Sequence, residues 1–259
     1  MQLCHQKSLN FYIFSTENLL MFNTQWPILA EDKYKKMVDH QPSIYWLGLR
    51  IDEPITTLTD LLVSVVCFYA WYKLGKLKSV SKSLIYFRYY FLLMALATLL
   101  GGLIGHAFLY AFSFSWKLPG WIVSMFSVAL IERSAIDYAK THVPEKVGRF
   151  FLNLNVVELI TIMSITLYTL NFKWVEFHSG YGLLAIVFPF HAYVYYKTKN
   201  AGSRTIIFAV GIASVAALVF MNKIALHTWF NHLDISHTLM AVAAYVFYRG
   251  ALKLYEGQH

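Results

Sequence analysis

Charge is scarce in this chain of 259 residues: Asp, Glu, Lys and Arg together make up 14%, against roughly 25% in a soluble domain. That shortage excludes an ordinary cytosolic enzyme. Two cysteines, Cys4 and Cys67, are too few for a disulfide framework. The 13 glycines and 6 prolines are too sparse for a collagen-like or low-complexity chain, and an aromatic content of 17% excludes a disordered one. Several motifs are missing too. The sequence has no P-loop, no Gly-x-Ser-x-Gly elbow, no His-Glu-x-x-His and no Cys-x-x-Cys, so NTPase, serine-hydrolase, zincin and thioredoxin readings have no support. The last apolar segment holds no lysine for a retinal Schiff base.

Apolar residues fill the space that charge leaves. They account for 58% of the chain, and the mean hydropathy is +0.48. A membrane-spanning helix needs about 20 mostly apolar residues, because the hydrocarbon layer is about 30 Å thick and each helical residue rises about 1.5 Å. Seven segments qualify: Ile55 to Leu74, Tyr89 to Phe112, Leu118 to Tyr138, Phe150 to Leu170, Val175 to Tyr196, Arg204 to Ile224, and His232 to Arg249. The expected fold is therefore all-α, a polytopic membrane protein with a seven-transmembrane-helix bundle over residues 55–250 and a short cytoplasmic tail over 251–259. Residues 1–54 lack the charged start, apolar core and small-residue cleavage site of a signal peptide. They read as an interfacial or poorly ordered leader, and Met37 is a possible alternative start of translation.

A net charge of +8 would point to nucleic acid in a soluble protein, but in a bilayer protein the cations report topology first. Lys73, Lys76, Lys78, Lys82 and Arg88 follow the first segment, Lys140, Lys146 and Arg149 the third, and Lys197, Lys199 and Arg204 the fifth. The alternate loops show only Lys117, Lys173 and Lys223. Basic loops stay inside, which puts the amino end outside and the carboxyl end in the cytoplasm. The basic stretch Lys33 to Lys36 is the exception. The partners to expect are membrane lipids and an amphipathic small molecule, with no nucleic acid.

Ionisable side chains inside a span cost about 2.5–3.5 kcal/mol on insertion scales, so they face partners or wet cavities. Counting depth along each helix, Asp60, His106, His178, Asp234 and His237 fall in an outer layer, with His232 just ahead of the last segment. Glu132, Glu158 and His191 fall about 15–25 Å from the outside and form a second polar layer. Asp234 and His237, three residues apart, share a helix face; His232 joins them only if the helix starts irregularly. The glycines of Leu100-Gly101-Gly102-Leu103-Ile104-Gly105-His106 permit close helix approach beside the histidine.

Imidazole nitrogens with a carboxylate are the ligand set of catalytic zinc. A metal held by His106, His237 and His232 or Asp234 would lower the pKa of its water towards 7 and supply a hydroxide nucleophile, with Asp234 or Asp60 as the catalytic carboxylate. The structural alternative is that Asp234 caps the last helix and pairs with His237. In the second layer, Glu132 and Glu158 either lock two helices through Arg133 or amide groups, or carry protons or cations.

Seven spans, a histidine late in the second and a histidine cluster opening the seventh resemble the superfamily of alkaline ceramidases and progestin and adipoQ receptors. The resemblance implies a zinc site with one histidine at His106 and another at His237, and an amide-hydrolysing activity on lipid. Gly102 stands where that pattern has a serine, Leu233 where it has the first histidine of the seventh span, and no acid lies in Pro119-Gly120-Trp121. Asp234 or His232 then replaces the missing ligand, and Asp60 the missing acid. The first expectation is an integral-membrane, metal-dependent hydrolase of a lipid or amphipathic amide or ester. A b-type haem electron carrier using His106, His178, His191 or His237 is the alternative, as is a receptor or transporter without chemistry.

Overall fold

The computed structural model describes residues 41–78 and 81–255. The expectations for residues 1–40, Met37 among them, and for the last four residues lie outside the described part. The described chain is mostly helical. It opens with a small antiparallel hairpin, β1 (Ile44–Trp46) paired with β2 (Leu49–Ile51) in the register Trp46↔Leu49. Leu47 and Gly48 both have positive φ, 51° and 81°, which is what a two-residue hairpin turn with the right twist demands.

Pro54 at the first turn starts α1 (Pro54–Leu74), where a missing N–H costs nothing. Ser81 caps α2 (Lys82–Leu100) by accepting from the Leu84 N–H. This helix does not stop at Leu100 but widens into a π-helical stretch, Gly101–Ala107, and two short 3-10 turns, Leu109–Ala111 and Phe114–Lys117, lead on to α3 (Leu118–Ala139). Then come α4 (Glu145–Thr169) and α5 (Lys173–Tyr181), which continues through a second π-helical stretch, Gly182–Val187, into α6 (Phe188–Thr198). Asn200 caps α7 (Ala201–Met221), and α8 (His232–Tyr255) closes the bundle.

Short connections force neighbouring helices to run antiparallel. α1 packs between α2 and α8, α3 between α2 and α4, and α7 between α6 and α8. The core between them includes Val63, Phe87, Phe91, Ile131, Val187, Ile206 and Phe247. Side chains such as Val157, Ile160, Phe208 and Leu218 point outward and are exposed. Buried hydroxyls bond across helices: Ser64 donates to the Ala95 carbonyl at 2.8 Å, Ser127 to the Tyr90 carbonyl at 2.9 Å. Such bonds satisfy polar groups that apolar surroundings would otherwise penalise.

Among the described residues, five stretches are long and apolar enough to cross a membrane: Pro54–Leu74, Lys82–Ala107, Phe114–Ala139, Glu145–Thr169 and Ala201–Met221. This is consistent with an integral membrane protein. The α5–α6 run and α8 are as long, but they carry Lys173, Glu176, His178 and His191, and His232, Asp234, His237 and Arg249, which lower their hydropathy.

Residues 41–53, assigned to the leader from sequence, are built into the fold. Asp52 is buried and accepts from Ser43 Oγ at 2.6 Å and Arg50 Nε at 2.7 Å, while its N–H donates to the Ala107 carbonyl at 3.0 Å. Tyr110 Oη donates to the Arg50 carbonyl at 3.0 Å. The hairpin is thereby fastened to the end of α2, and this side of the bundle is called the hairpin end below.

Candidate functional site

At the hairpin end, Asp60 on α1, His106 in the first π-helical stretch and His237 on α8 converge. Asp60 stands between the two imidazoles: its Oδ1 lies 3.4 Å from His237 Nδ1 and its Oδ2 lies 3.7 Å from His106 Nε2. The two rings are 6.1 Å apart, centre to centre. These separations exceed an ordinary hydrogen bond of about 2.7–3.2 Å. Each Asp60–histidine separation is near the roughly 3.4 Å between neighbouring ligand atoms of a tetrahedral metal, but among the described residues the group whose donor atoms all lie within 4.8 Å of one another is Glu132, Glu158 and His178, not this one.

Local packing explains why Asp60 sits there. A Cβ on Gly102 would lie 3.0 Å from the Asp60 Cβ, and one on Gly101 would lie 3.2 Å from its Oδ2. The two glycines therefore let α2 close onto α1 at the level of the carboxylate. Thr57 Oγ1 seals the contact by donating to the Gly102 carbonyl at 3.3 Å.

His106 Nδ1 pairs with the Glu53 carboxylate. A carboxylate on one ring nitrogen fixes the hydrogen there and leaves the other as the ligand atom, the usual support of a metal-bound histidine. Burial works to raise the Glu53 carboxyl, but the hydrogen bond and charge of His106, with Lys117 and His237 beyond, hold it below its ordinary value. Thr59 Oγ1 lies 3.4 Å from His237 Nδ1 and donates to the Thr56 carbonyl at 3.0 Å. The side chains of His106, His237 and Glu53 stay 14–16% exposed, so the cluster is not sealed inside the bundle.

Asp234 and His232 stand apart from this arrangement. Asp234 is fully buried and accepts from the Asn231 N–H at 2.7 Å, Thr56 Oγ1 at 2.8 Å and Gln41 Nε2 at 3.3 Å. Asn231 caps α8, its Oδ1 accepting from the Leu233 N–H at 2.8 Å, and Asp234 closes that turn from inside the helix and ties α8 to α1 through Thr56; its partners are these groups in place of His237. His232 lays its ring on Phe220, 5.8 Å between centres.

The second layer assembles differently from the sequence expectation. Glu132 on α3 and Glu158 on α4 meet His178 of α5, and their donor atoms all lie within 4.8 Å of one another. Depth counting had put His178 in the outer layer, because residues counted along parallel axes do not register the offset and inclination between neighbouring helices. His191, expected with the two glutamates, sits elsewhere: its ring stacks on Tyr138 at 5.8 Å, and Nδ1 is 3.2 Å from Ser203 Oγ. Asn155 Nδ2 donates to Glu132 Oε2 at 3.0 Å and to the Ala129 carbonyl at 3.2 Å, and Arg133 Nη1 donates to Asn155 Oδ1 at 3.2 Å. The amide, and not the arginine, is the direct partner of Glu132.

Sequence reasoning missed Glu53, Gln41, Thr56 and Thr59. The available signal was an acid immediately before a helix-starting proline, Asp52-Glu53-Pro54, next to the threonine-rich turn Thr56-Thr57.

No protein of curated function matches the chain. Residues 55–256, which span the helical bundle and both polar clusters, match a family of unknown function, DUF6962, and the chain belongs to that family.

Proposed function

We propose that the protein is an integral-membrane, metal-dependent hydrolase acting on a lipid or other amphipathic amide or ester, with Asp60, His106 and His237 at its reactive centre. The observation that carries this reading is the Asp60 carboxylate standing between two histidines from different helices, with Glu53 behind His106. Two imidazoles and a carboxylate are the donor set that zinc takes in catalytic sites. When bound, the ion acidifies a water and polarises a carbonyl. Glu53 holds the His106 ring in the orientation that turns Nε2 towards Asp60. Thr59 holds α1 and α8 in register beside His237. Asp234 is a positioning residue in this reading, since it fixes the start of α8 three residues ahead of His237.

The reading includes seven membrane crossings, the α5–α6 run and α8 joining the five apolar stretches. The hairpin end faces outside and the end of α8 faces the cytoplasm, as the basic loops argue. Tyr45, Trp46 and Leu47, exposed at the hairpin tip, suit the headgroup region where such side chains settle. Haem has weaker support. A carboxylate stands between His106 and His237, where a haem iron held by the two rings would have to sit.

The test is metal analysis by plasma mass spectrometry, with an optical spectrum, on the detergent-purified full chain. His106→Ala and His237→Ala should each lose about one zinc per chain and any hydrolysis of lipid amide or ester substrates. Unchanged metal content in both variants sinks the proposal, and a Soret band replaces it with the haem reading.

A further inference from the structure

The cluster of Glu132, Glu158 and His178 plays no part in the chemistry at the hairpin end, and it has the features of a ligand site of its own. Glu132 and His178 are completely buried, and the Glu158 side chain is only 10% exposed. Among the described residues neither carboxylate pairs with a lysine or arginine; the ion pair here is Glu158 with His178. A protonated His178 balances the Glu158 carboxylate, and Glu132 is left without a cationic partner in a low-dielectric interior, where a bare charge is costly.

One oxygen of the cluster has no partner. Glu132 Oε2 accepts from Asn155, but Oε1 is buried without a hydrogen bond. It points at the face of α5 that carries His178, because a Cβ on Gly182, four residues further along that helix, would lie 2.5 Å from it. Gly182 thus leaves open the space into which the orphaned oxygen projects.

His178 is set up as a ligand. Its Nε2 lies 2.9 Å from the Met125 carbonyl, and a carbonyl can only accept, so this nitrogen carries the hydrogen. Nδ1 donates to Glu158 Oε1 and Oε2 at 2.9 and 2.8 Å, and this proton is the one a metal ion would displace, as metal binding to imidazole releases its proton. A histidine whose far N–H is held by a backbone carbonyl is the common support of a metal-bound imidazole. Asn155, held by Arg133, does the same for Glu132.

We propose that Glu132, Glu158 and His178 form a second, buried site for a divalent first-row metal ion, zinc foremost, distinct from the cluster at the hairpin end. One imidazole nitrogen and two carboxylate oxygens suit such ions. The ion takes the place of the His178 Nδ1 proton, balances both carboxylates, gives the orphaned Glu132 Oε1 a partner, and clamps α3, α4 and α5 together.

The test uses the full chain in detergent, stripped with a chelator and then dialysed against zinc alone, with zinc counted by plasma mass spectrometry. His106→Ala, which removes the hairpin-end site, should retain about one zinc per chain, and the double variant His106→Ala/Glu132→Gln should retain none. A second measurement needs no change in the cluster: zinc K-edge absorption of the His106→Ala protein should show one imidazole among oxygen ligands. A His106→Ala protein without zinc overturns the proposal. So does unchanged zinc in the double variant, or a spectrum with several imidazoles. Loss of zinc with Glu132→Gln but not with His106→Ala would support this site and remove the hairpin-end one, so the two proposals fail separately.

Discussion

Replacing Gly102 by alanine tests whether the approach of α2 to α1 builds the Asp60 site. The added Cβ would lie 3.0 Å from the Asp60 Cβ and 3.2 Å from the Thr57 carbonyl oxygen, where carbon contacts ordinarily settle at about 3.5–4.0 Å. The helices must therefore part by about 0.5–1 Å. Overpacking of this kind costs about 1–3 kcal/mol, and alanine returns about 0.5–1 kcal/mol over glycine in a helix. The net expectation is a loss of about 0–2.5 kcal/mol. At roughly 2–4 °C per kcal/mol for a chain of this size, the melting temperature should fall by up to about 10 °C. Zinc at the hairpin end should weaken as well, since sites of this kind tolerate only about 0.5 Å of displacement. Gly105→Ala is the control on the same stretch. Its Cβ would meet nothing nearer than the Leu100 carbonyl oxygen at 4.0 Å, so it should be neutral or mildly stabilising. The assay is thermal unfolding of both variants in detergent, followed by tryptophan fluorescence with and without zinc. A Gly102→Ala protein that melts at or above Gly105→Ala refutes the argument.

Three further expectations follow from the same contacts. Asp234→Ala breaks the turn that opens α8 and leaves Gln41 Nε2 buried without its acceptor, while Thr56 Oγ1 keeps Gln41 Oε1 at 3.3 Å; it should cost about 1–3 kcal/mol while sparing the zinc content, and zinc lost without any fall in stability would return Asp234 to the ligand set. Glu53 titrates below its ordinary value, so its pairing stabilises the fold above about pH 4.3 and fades as pH drops through the lower folded value; Glu53→Gln should flatten that acid limb of the melting curve, and an unchanged limb contradicts the pairing. Gly182→Ala forces a Cβ to within 2.6 Å of Val128 Cγ1 as well as against Glu132, whereas Gly180→Ala meets nothing within 4 Å. The first should lower the melting temperature and the second should not, and equal effects would deny the close packing of α5 on α3.

The helical fold was legible, and five membrane-length helices among the described residues with it, because a bilayer-length apolar run reads directly from composition; Asp60, His106 and His237 were legible as one layer because each lies near the same end of its helix. Glu53 escaped, since nothing in hydropathy distinguishes an acid in a leader from one folded back beside α2. Asp234 carried two readings from sequence alone, and only the positions of Thr56 and Gln41, 178 and 193 residues away, show where its oxygens are spent. The misplacement of His178 and His191 has one origin. Depth counted along parallel axes misses the offset and inclination of neighbouring helices and says nothing of azimuth, and which neighbour a side chain meets depends on both.

A local pattern does encode azimuth at both clusters. Gly102 and His106 are four residues apart in the first π-helical stretch, and His178 and Gly182 are four apart where the second begins. Residues at that spacing share a helix face. In each case the glycine admits a carboxylate from the neighbouring helix, Asp60 against Gly102 and Glu132 against Gly182, and the histidine one turn away meets the same acidic cluster. A glycine in a helix costs about 0.5–1 kcal/mol against alanine, and π-helical turns are rare and gather at functional sites. Both penalties fall twice in this bundle, each time beside a buried acid and an imidazole. Packing alone gives no reason for that coincidence, because an alanine or serine facing an apolar neighbour would join the helices at lower cost. Binding does give one, because a carboxylate and a histidine brought to one face from two helices form a site only where the backbone between them lacks a side chain.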